Sequence, residues 1–304
     1  MLSSKTRAAR LTLCVSAVYE RSRNGETMLS DQEVNYADSP RPRLALALSG
    51  GAARGFAHVG VLRSLERHKI SVDMIAGTSA GALVGGAYAA GLSVAEIIAL
   101  GRDLSWRNIG RMTLSRSGLQ SNRLLETIVQ EKFPVTRFEQ MRIPFAAVAT
   151  DLHTGAPVVM SGRGDVAFAI RASCAVPGLY IPVVDEHGRQ LVDGGLAAIV
   201  PATAARDLGA DVVVAVDVNF EGAKFLGPPQ SFIGVLIQSF MIVQRTVTAA
   251  QVASADVAIR PRVGHIRWDE MKRGEELIRL GEEAADEAAE HIKNALTITP
   301  AHMI

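Results

Sequence analysis

Residues 72–81 read Val72-Asp73-Met74-Ile75-Ala76-Gly77-Thr78-Ser79-Ala80-Gly81. An apolar run of strand length, Val72 to Ala76, leads into a Gly-x-Ser-x-Gly turn. The small-residue run Ala80 to Ala90 follows and ends at Gly91. Strand, tight turn and helix with a serine at the bend is the setting of a nucleophile elbow. The turn lifts the Ser79 hydroxyl clear of the sheet. Gly77 and Gly81 flank it because strand and helix backbones come too close there for a Cβ. The helix N-terminus behind the serine favours developing negative charge. The same region explains an uncharged stretch of 22 residues, Met74 to Ala95, long enough to span a bilayer and carrying the Gly77, Gly81, Gly85 spacing of paired membrane helices. Five glycines with Thr78, Ser79 and Ser93 make it too weakly apolar for that role. It reads as a buried strand and a packed catalytic helix.

Outward from this elbow, short apolar runs alternate with helical patterns. Leu44-Ala45-Leu46-Ala47-Leu48 reads as a buried strand, and Phe56–Lys69 as a helix with Val59, Leu62 and Leu65 on one face. Ser93 caps a helix through Leu104, and 105–120 is a basic loop. Ser121–Phe133 is helical, stopped by Pro134. Strands are expected at Pro144–Thr150 and Pro157–Met160, with a short helix at Asp165–Ala172. Tyr180–Val184 and Gln190–Val192 flank the turn Asp185-Glu186-His187-Gly188. Asp211–Val218 is a continuous apolar strand of the doubly covered kind. Ser231–Val252 is a long helix, read as core with part of it lining an acyl channel or touching lipid. Val257–Arg260 is a last strand, and Lys272–Leu296 an amphipathic closing helix. This alternation predicts an α/β fold, three layers deep (α/β/α), with a mostly parallel central sheet. Residues 1–42, ending in Pro40-Arg41-Pro42, read as a poorly ordered extension, and 43–304 as one catalytic domain. Within the extension, Lys5, Arg7 and Arg10 before Leu11–Tyr19 loosely resemble a signal peptide. No small-x-small site follows, so residues 1–27 are taken as a variable lead with Met28 as the working start.

Composition narrows the chemistry. The 304 residues carry 32 Lys+Arg against 31 Asp+Glu, a net charge of +1, so the basic excess of a nucleic-acid binder is missing. Cys14 and Cys174 form no Cys-x-x-Cys, and the seven histidines fall in no ligand spacing. No metal and no cofactor are expected, and a reducing, cytoplasmic setting fits best.

A second glycine cluster, Ser49-Gly50-Gly51-Ala52-Ala53-Arg54-Gly55, also lies between strand and helix. Ala52 breaks a dinucleotide-binding Gly-x-Gly-x-x-Gly, and Asp73 begins the second strand rather than ending it. Acyl transfer needs backbone N–H donors facing an oxyanion, which makes Gly51, Ala52 and their neighbours Gly50, Arg54 and Gly55 candidates. Arg54 either braces the turn or faces an anionic headgroup. A serine also needs a proton acceptor. Neither His265, His291 nor His302 sits in a strand-end glycine turn, and His58 suits a packed position. Asp193-Gly194-Gly195 places a carboxylate where close backbone approach is allowed, or is a plain hairpin end.

Four ordered motifs together carry a resemblance: Gly50-Gly51-Ala52-Ala53-Arg54-Gly55, Gly77-Thr78-Ser79-Ala80-Gly81, Arg171-Ala172-Ser173-Cys174-Ala175-Val176-Pro177-Gly178 and Asp193-Gly194-Gly195. Over roughly residues 43–262 the chain resembles the patatin-like phospholipase family, most closely the bacterial branch related to the catalytic domain of neuropathy target esterase. The resemblance implies a Ser–Asp dyad without histidine, with Ser79 as nucleophile and Asp193 as base, an oxyanion turn from the first motif, and hydrolysis of acyl groups from phospholipid or lysophospholipid. Peripheral membrane contact goes with such a substrate. Ala52 departs from the family, many of whose members have glycine there. A general carboxylesterase or thioesterase shares every catalytic residue, and a lipid-binding regulatory protein could use the same scaffold. The Pro177-Gly178 block reads as structural, and Cys174 as a small buried residue.

Overall fold

The computed structural model describes residues 41–104, 109–113, 115, 117–221, 228–229 and 231–297. The expected disorder of the N-terminal extension therefore falls, up to residue 40, outside the described residues. From Ser39 onward the chain forms one compact unit. Its strands are β1 (Leu44–Leu48), β2 (Met74–Thr78), β3 (Arg111–Met112), β4 (Gln120–Ser121), β5 (Phe145–Asp151), β6 (Pro157–Ser161), β7 (Val183–Val184), β8 (Gln190–Asp193), β9 (Val212–Val216) and β10 (Val257–Ile259). The helices are α1 (Phe56–Arg67), α2 (Ala80–Ala90), α3 (Val94–Asp103), α4 (Arg123–Lys132), α5 (Val166–Ser173), α6 (Ala202–Asp207), α7 (Phe232–Ala253) and α8 (Gly274–Thr297).

The main sheet runs β10-β9-β1-β2-β5-β8-β7, with β6 also on β5. From β10 to β5 all pairs are parallel, and the β5, β6, β7 and β8 pairings are antiparallel. The small hairpin of β3 and β4 lies in the expected basic loop but takes in Ser121, the expected start of the next helix, which begins at Arg123 instead.

Alternation along β1 sorts the layers. Leu44, Leu46 and Leu48 join the cluster that buries α1, α2 and α8. Ala45 and Ala47 face the other side, where α6 and Val252 of α7 pack. Large residues thus fill one interface and small ones allow close helix approach on the other.

Ends match local chemistry. Ser93 and Glu96 form a reciprocal capping box at α3. Asp165 caps α5 and Ser231 caps α7. Gly91 closes α2 at φ 104°, a left-handed conformation that glycine takes freely.

Helix α7 corrects the reading of this segment as core. Ile237, Gln244 and Thr248 are buried, whereas Phe232 is 76% exposed and Val235, Leu236, Ile242 and Val243 are also exposed. These positions share one helix face, so the helix covers the sheet with one side and turns an apolar stripe outward. The six-residue α6 carries no sequence signal beyond its alanines.

Helix α8 lies against α1 with backbones in contact. A Cβ at Gly60 would overlap the Ile278 carbonyl oxygen, and one at Gly281 the Ala57 carbonyl oxygen. Arg63 and Arg67 pair with Glu282, and Arg67 also with Asp286. Gly281→Val is expected to force the two helices apart and cost roughly 3 kcal/mol, as overpacking of a tight interface does. Chemical denaturation reads this as a lowered midpoint at unchanged slope; an unaltered midpoint would contradict the backbone contact.

Candidate active site

Neighbouring parallel strands bring two turns together. Leu48 of β1 lies beside Gly77 of β2, so the glycine turn after β1 and the serine turn after β2 leave the sheet side by side. Ligands of open parallel sheets bind at such strand ends.

Ser79 sits at φ 53° and ψ −120°, a strained backbone for a residue with a Cβ. Its glycine neighbours permit this. A Cβ at Gly77 would stand 2.6 Å from the Ala82 Cα, and one at Gly81 would stand 2.6 Å from the Leu48 carbonyl carbon. The Ser79 N–H donates to Ser173 Oγ at 2.8 Å, and Ser173 Oγ donates to the Val148 carbonyl at 2.6 Å. The elbow is thereby tied to β5 through one buried hydroxyl. Sequence reading missed this role of Ser173, although the residue lies in one of the four motifs.

Asp193 ends β8 and is 1% exposed. Its N–H donates to the Ala175 carbonyl at 2.9 Å, and its carbonyl accepts from Thr150 Oγ1 at 3.0 Å. Oδ1 accepts from the Gly195 N–H at 2.8 Å. Gly194 backs onto β5, where a Cβ would overlap the Val148 carbonyl oxygen. Burial pushes the carboxyl up to about 6, against the opposing hydrogen bonds of Ser79 and Gly195. Oδ2 is buried and accepts no hydrogen bond of ordinary geometry.

The glycine turn is fastened by hydrogen bonds on several sides. Gly50 donates its N–H to Ile199 at 3.1 Å, and Ala53 donates to Trp268 at 2.8 Å. The Gly50 carbonyl accepts from Asn219 Nδ2 at 2.6 Å. Arg54 is fully buried and its Nε donates to the Ile266 carbonyl at 2.8 Å. Of the two readings open for Arg54, the structure takes the brace. Gly50 is likewise no free donor, because Ile199 occupies its N–H. The Gly51 and Ala52 N–H groups make no hydrogen bond among the described residues. Both residues line a cavity with Ser79, Asp193, Asn219 and Gln244. Ala52 holds φ 49°, a strained backbone that glycine would adopt without cost. Gly55 packs against Ala80, where a Cβ would come within 2.6 Å of the alanine's own.

Among the described histidines none lines either cavity that contains Ser79. His58 is fully buried with Nε2 2.8 Å from the Ser49 carbonyl, and burial drives its imidazole down to about 4. It is a neutral packing residue. His302 lies outside the described residues. Cys174 lines the cavity beside Ser79, and its thiol titrates well above the ordinary range, through burial first and the Asp193 charge second. A thiol held protonated in this way is a poor nucleophile. The described residues contain no group of three potential metal ligands.

The model of the patatin-like phospholipases matches residues 46–206, a stretch that holds both Ser79 and Asp193. The chain belongs to that family. An uncharacterized NTE family protein of Mycobacterium bovis is 40% identical over 185 residues, covering 60% of this chain and 50% of that one. The lysophospholipase NTE1 of Mycosarcoma maydis is 39% identical over 189 residues, covering 58% of this chain and 10% of that one. The chain thus spans about half the length of the mycobacterial relative and a tenth of the fungal one. Among solved structures, VipD of Legionella pneumophila aligns with a TM-score of 0.50 at 13% identity, over 83% of this chain and 67% of that one. That likeness concerns the fold.

Ser173→Ala removes the acceptor of the Ser79 N–H and leaves a buried donor unpaired. It is expected to cost about 1–3 kcal/mol of stability and to loosen the elbow, lowering turnover as well. Ser173→Thr keeps the hydroxyl and should recover much of both. Equal behaviour of the two variants in denaturation and turnover would dismiss the tie.

Proposed function

We propose that the protein is a serine lipid acyl hydrolase of the phospholipase A or lysophospholipase type, working through a Ser79–Asp193 dyad. The observation that carries this reading is the buried Asp193 carboxylate, with one oxygen unpartnered, beside a serine on a strained elbow. Asp193 takes the Ser79 proton as Oγ attacks the ester carbonyl carbon. The carbonyl π electrons move to oxygen, where the N–H groups of Gly51 and Ala52 and the N-terminus of α2 stabilise the oxyanion. Collapse breaks the bond to the alcohol, which leaves with the proton from Asp193. Water then attacks the acyl-enzyme while Asp193 takes its proton, and Ser79 recovers that proton as the free acid departs.

The pKa supports the role. A carboxyl of ordinary acidity is a weak base, and burial brings this one nearer to neutrality. Helix α7 supports a lipid substrate. One side, with Ile237, Phe240, Met241 and Gln244, lines the cavity of Asp193. The opposite side exposes the apolar stripe from Phe232 to Val243, on a helix whose sole charge is Arg245. Laid on a lipid surface, that stripe would bring the cavity to its substrate. No helix among the described residues is long and apolar enough to cross a membrane.

A fluorophosphonate is expected to label Ser79 and to lose its target in Ser79→Ala. A panel of lysophospholipid, diacyl phospholipid and simple esters then ranks the substrate classes; a folded protein that labels nowhere and hydrolyses none of them would end this reading.

Asp193→Asn should be as inactive as Ser79→Ala, since the amide cannot accept the proton, and no folded His→Ala variant should match that loss. In the wild type, kcat/KM should rise with pH through about 6 as Asp193 ionises. Stability moves the other way. The native carboxyl binds its proton more tightly than the unfolded one, so the native state loses stability as pH rises from about 4 to about 6. Asp193→Asn should therefore be more stable than wild type at pH 8, by on the order of 1–3 kcal/mol, and the gain should vanish below pH 4. Calorimetry across pH checks the sign; a less stable variant at pH 8 would mean the carboxylate is not desolvated.

A further inference from the structure

Two cavities meet at Ser79 and differ in chemistry. The one described above contains Asp193, Asn219, Gln244 and Trp268. The other includes no charged side chain in its lining. Its polar groups are Ser79, the protonated thiol of Cys174 and Tyr180, whose buried hydroxyl has no partner.

The apolar cavity follows one helix. Ala80, Leu83, Val84 and Ala87 line it from α2, at positions i, i+3, i+4 and i+7 of a single face. From Ser79 to Ala87 the axial rise is about 12 Å. At the far end Ala87 is fully buried and Ile97, on the first turn of α3, is 3% exposed. Ala87 is the lining residue farthest along α2 from Ser79, and the short connection from Gly91 to Ser93 joins its helix to that of Ile97. Alanine at the third turn leaves room where a larger side chain would fill it.

We propose that this cavity measures the acyl chain, with Ala87 and Ile97 as the stop. The inference rests on the acyl hydrolase reading and adds the substrate's length class. The ester carbonyl sits at Ser79, the alcohol portion lies in the polar cavity, and the alkyl chain runs along α2. At about 1.3 Å per methylene, from C–C bonds of about 1.5 Å, the 12 Å run takes about nine or ten carbons. The substrate class is a medium-chain acyl ester.

A ladder of p-nitrophenyl esters from butyrate to palmitate tests this on the full chain. For the wild type, kcat/KM should climb by about fourfold per methylene, the factor equivalent to burying one CH₂, and stop climbing near ten carbons. Ala87→Leu should move the break to shorter esters, lowering decanoate relative to butyrate at least tenfold. Ile97→Ala should move it to longer ones. Both variants retain Ser79, so fluorophosphonate labelling shows whether each has a formed site; if Ala87→Leu does not label, Ile97→Ala decides alone. A break that stays in place in the labelled variants would overturn the ruler while leaving the hydrolase reading intact. A wild type that labels but prefers palmitate without a break would do the same, directing the chain outward past Phe56 and Met271. Absence of both labelling and ester hydrolysis would overturn the two together.

Discussion

Everything at the site depends on how closely the elbow backbone can approach the strand beside it. Gly81, on the first turn of α2, rests on the Leu48 carbonyl, and Gly77 rests on the same turn from below. This contact sets the distance between the serine turn and the glycine turn after β1. With any side chain at either position the two turns would separate. Gly51 and Ala52 would then no longer line one cavity with Ser79. Strain is placed accordingly: of the three residues other than glycine with positive φ among the described residues, Ala52 and Ser79 both belong to these turns. The hydrogen bonds of Ser173, Asn219, Arg54 and Ile199 hold that strain in place.

The same packing produces the electrostatics. Burial strips Asp193 of solvent, raising its pKa and leaving one oxygen without a partner. A carboxylate so placed is costly to the fold and useful to a reaction that must remove a serine proton near neutral pH. Its cost is borne by a well-packed sheet, where every residue of β1, β2, β5 and β9 is buried.

Ser79 also divides its surroundings. On one side lie Asp193, amide side chains and unpaired backbone donors; on the other, a wall of small and branched apolar residues along α2. An ester has the same division, with a polar carbonyl and alcohol at one end and an alkyl chain at the other. Helix α7 extends this logic to the surface, with its inner face on the cavity and its outer apolar face in solvent.

Local sequence determined much of this. The alternation Leu44-Ala45-Leu46-Ala47-Leu48, the limits of α2 and the serine cap of α3 were legible because each depends on neighbours a few residues away. Gly77, Ser79, Gly81 and Asp193 were legible as motifs, and the structure brings them to one place. What only the tertiary structure decided are the contacts across the chain. Nothing local distinguishes Gly50 from Gly51 as a donor; that depends on Ile199, far along the chain, taking one N–H and not the other. Arg54 became a brace because the carbonyl of Ile266 reached it. Ser173 acquired its role from the Val148 carbonyl. Helix α7 read as core because its composition is apolar all round, but burial belongs to position in the fold, and the sheet face it covers accepts only one side of it. Periodicity reports which residues share a face; what covers that face is settled by long-range packing.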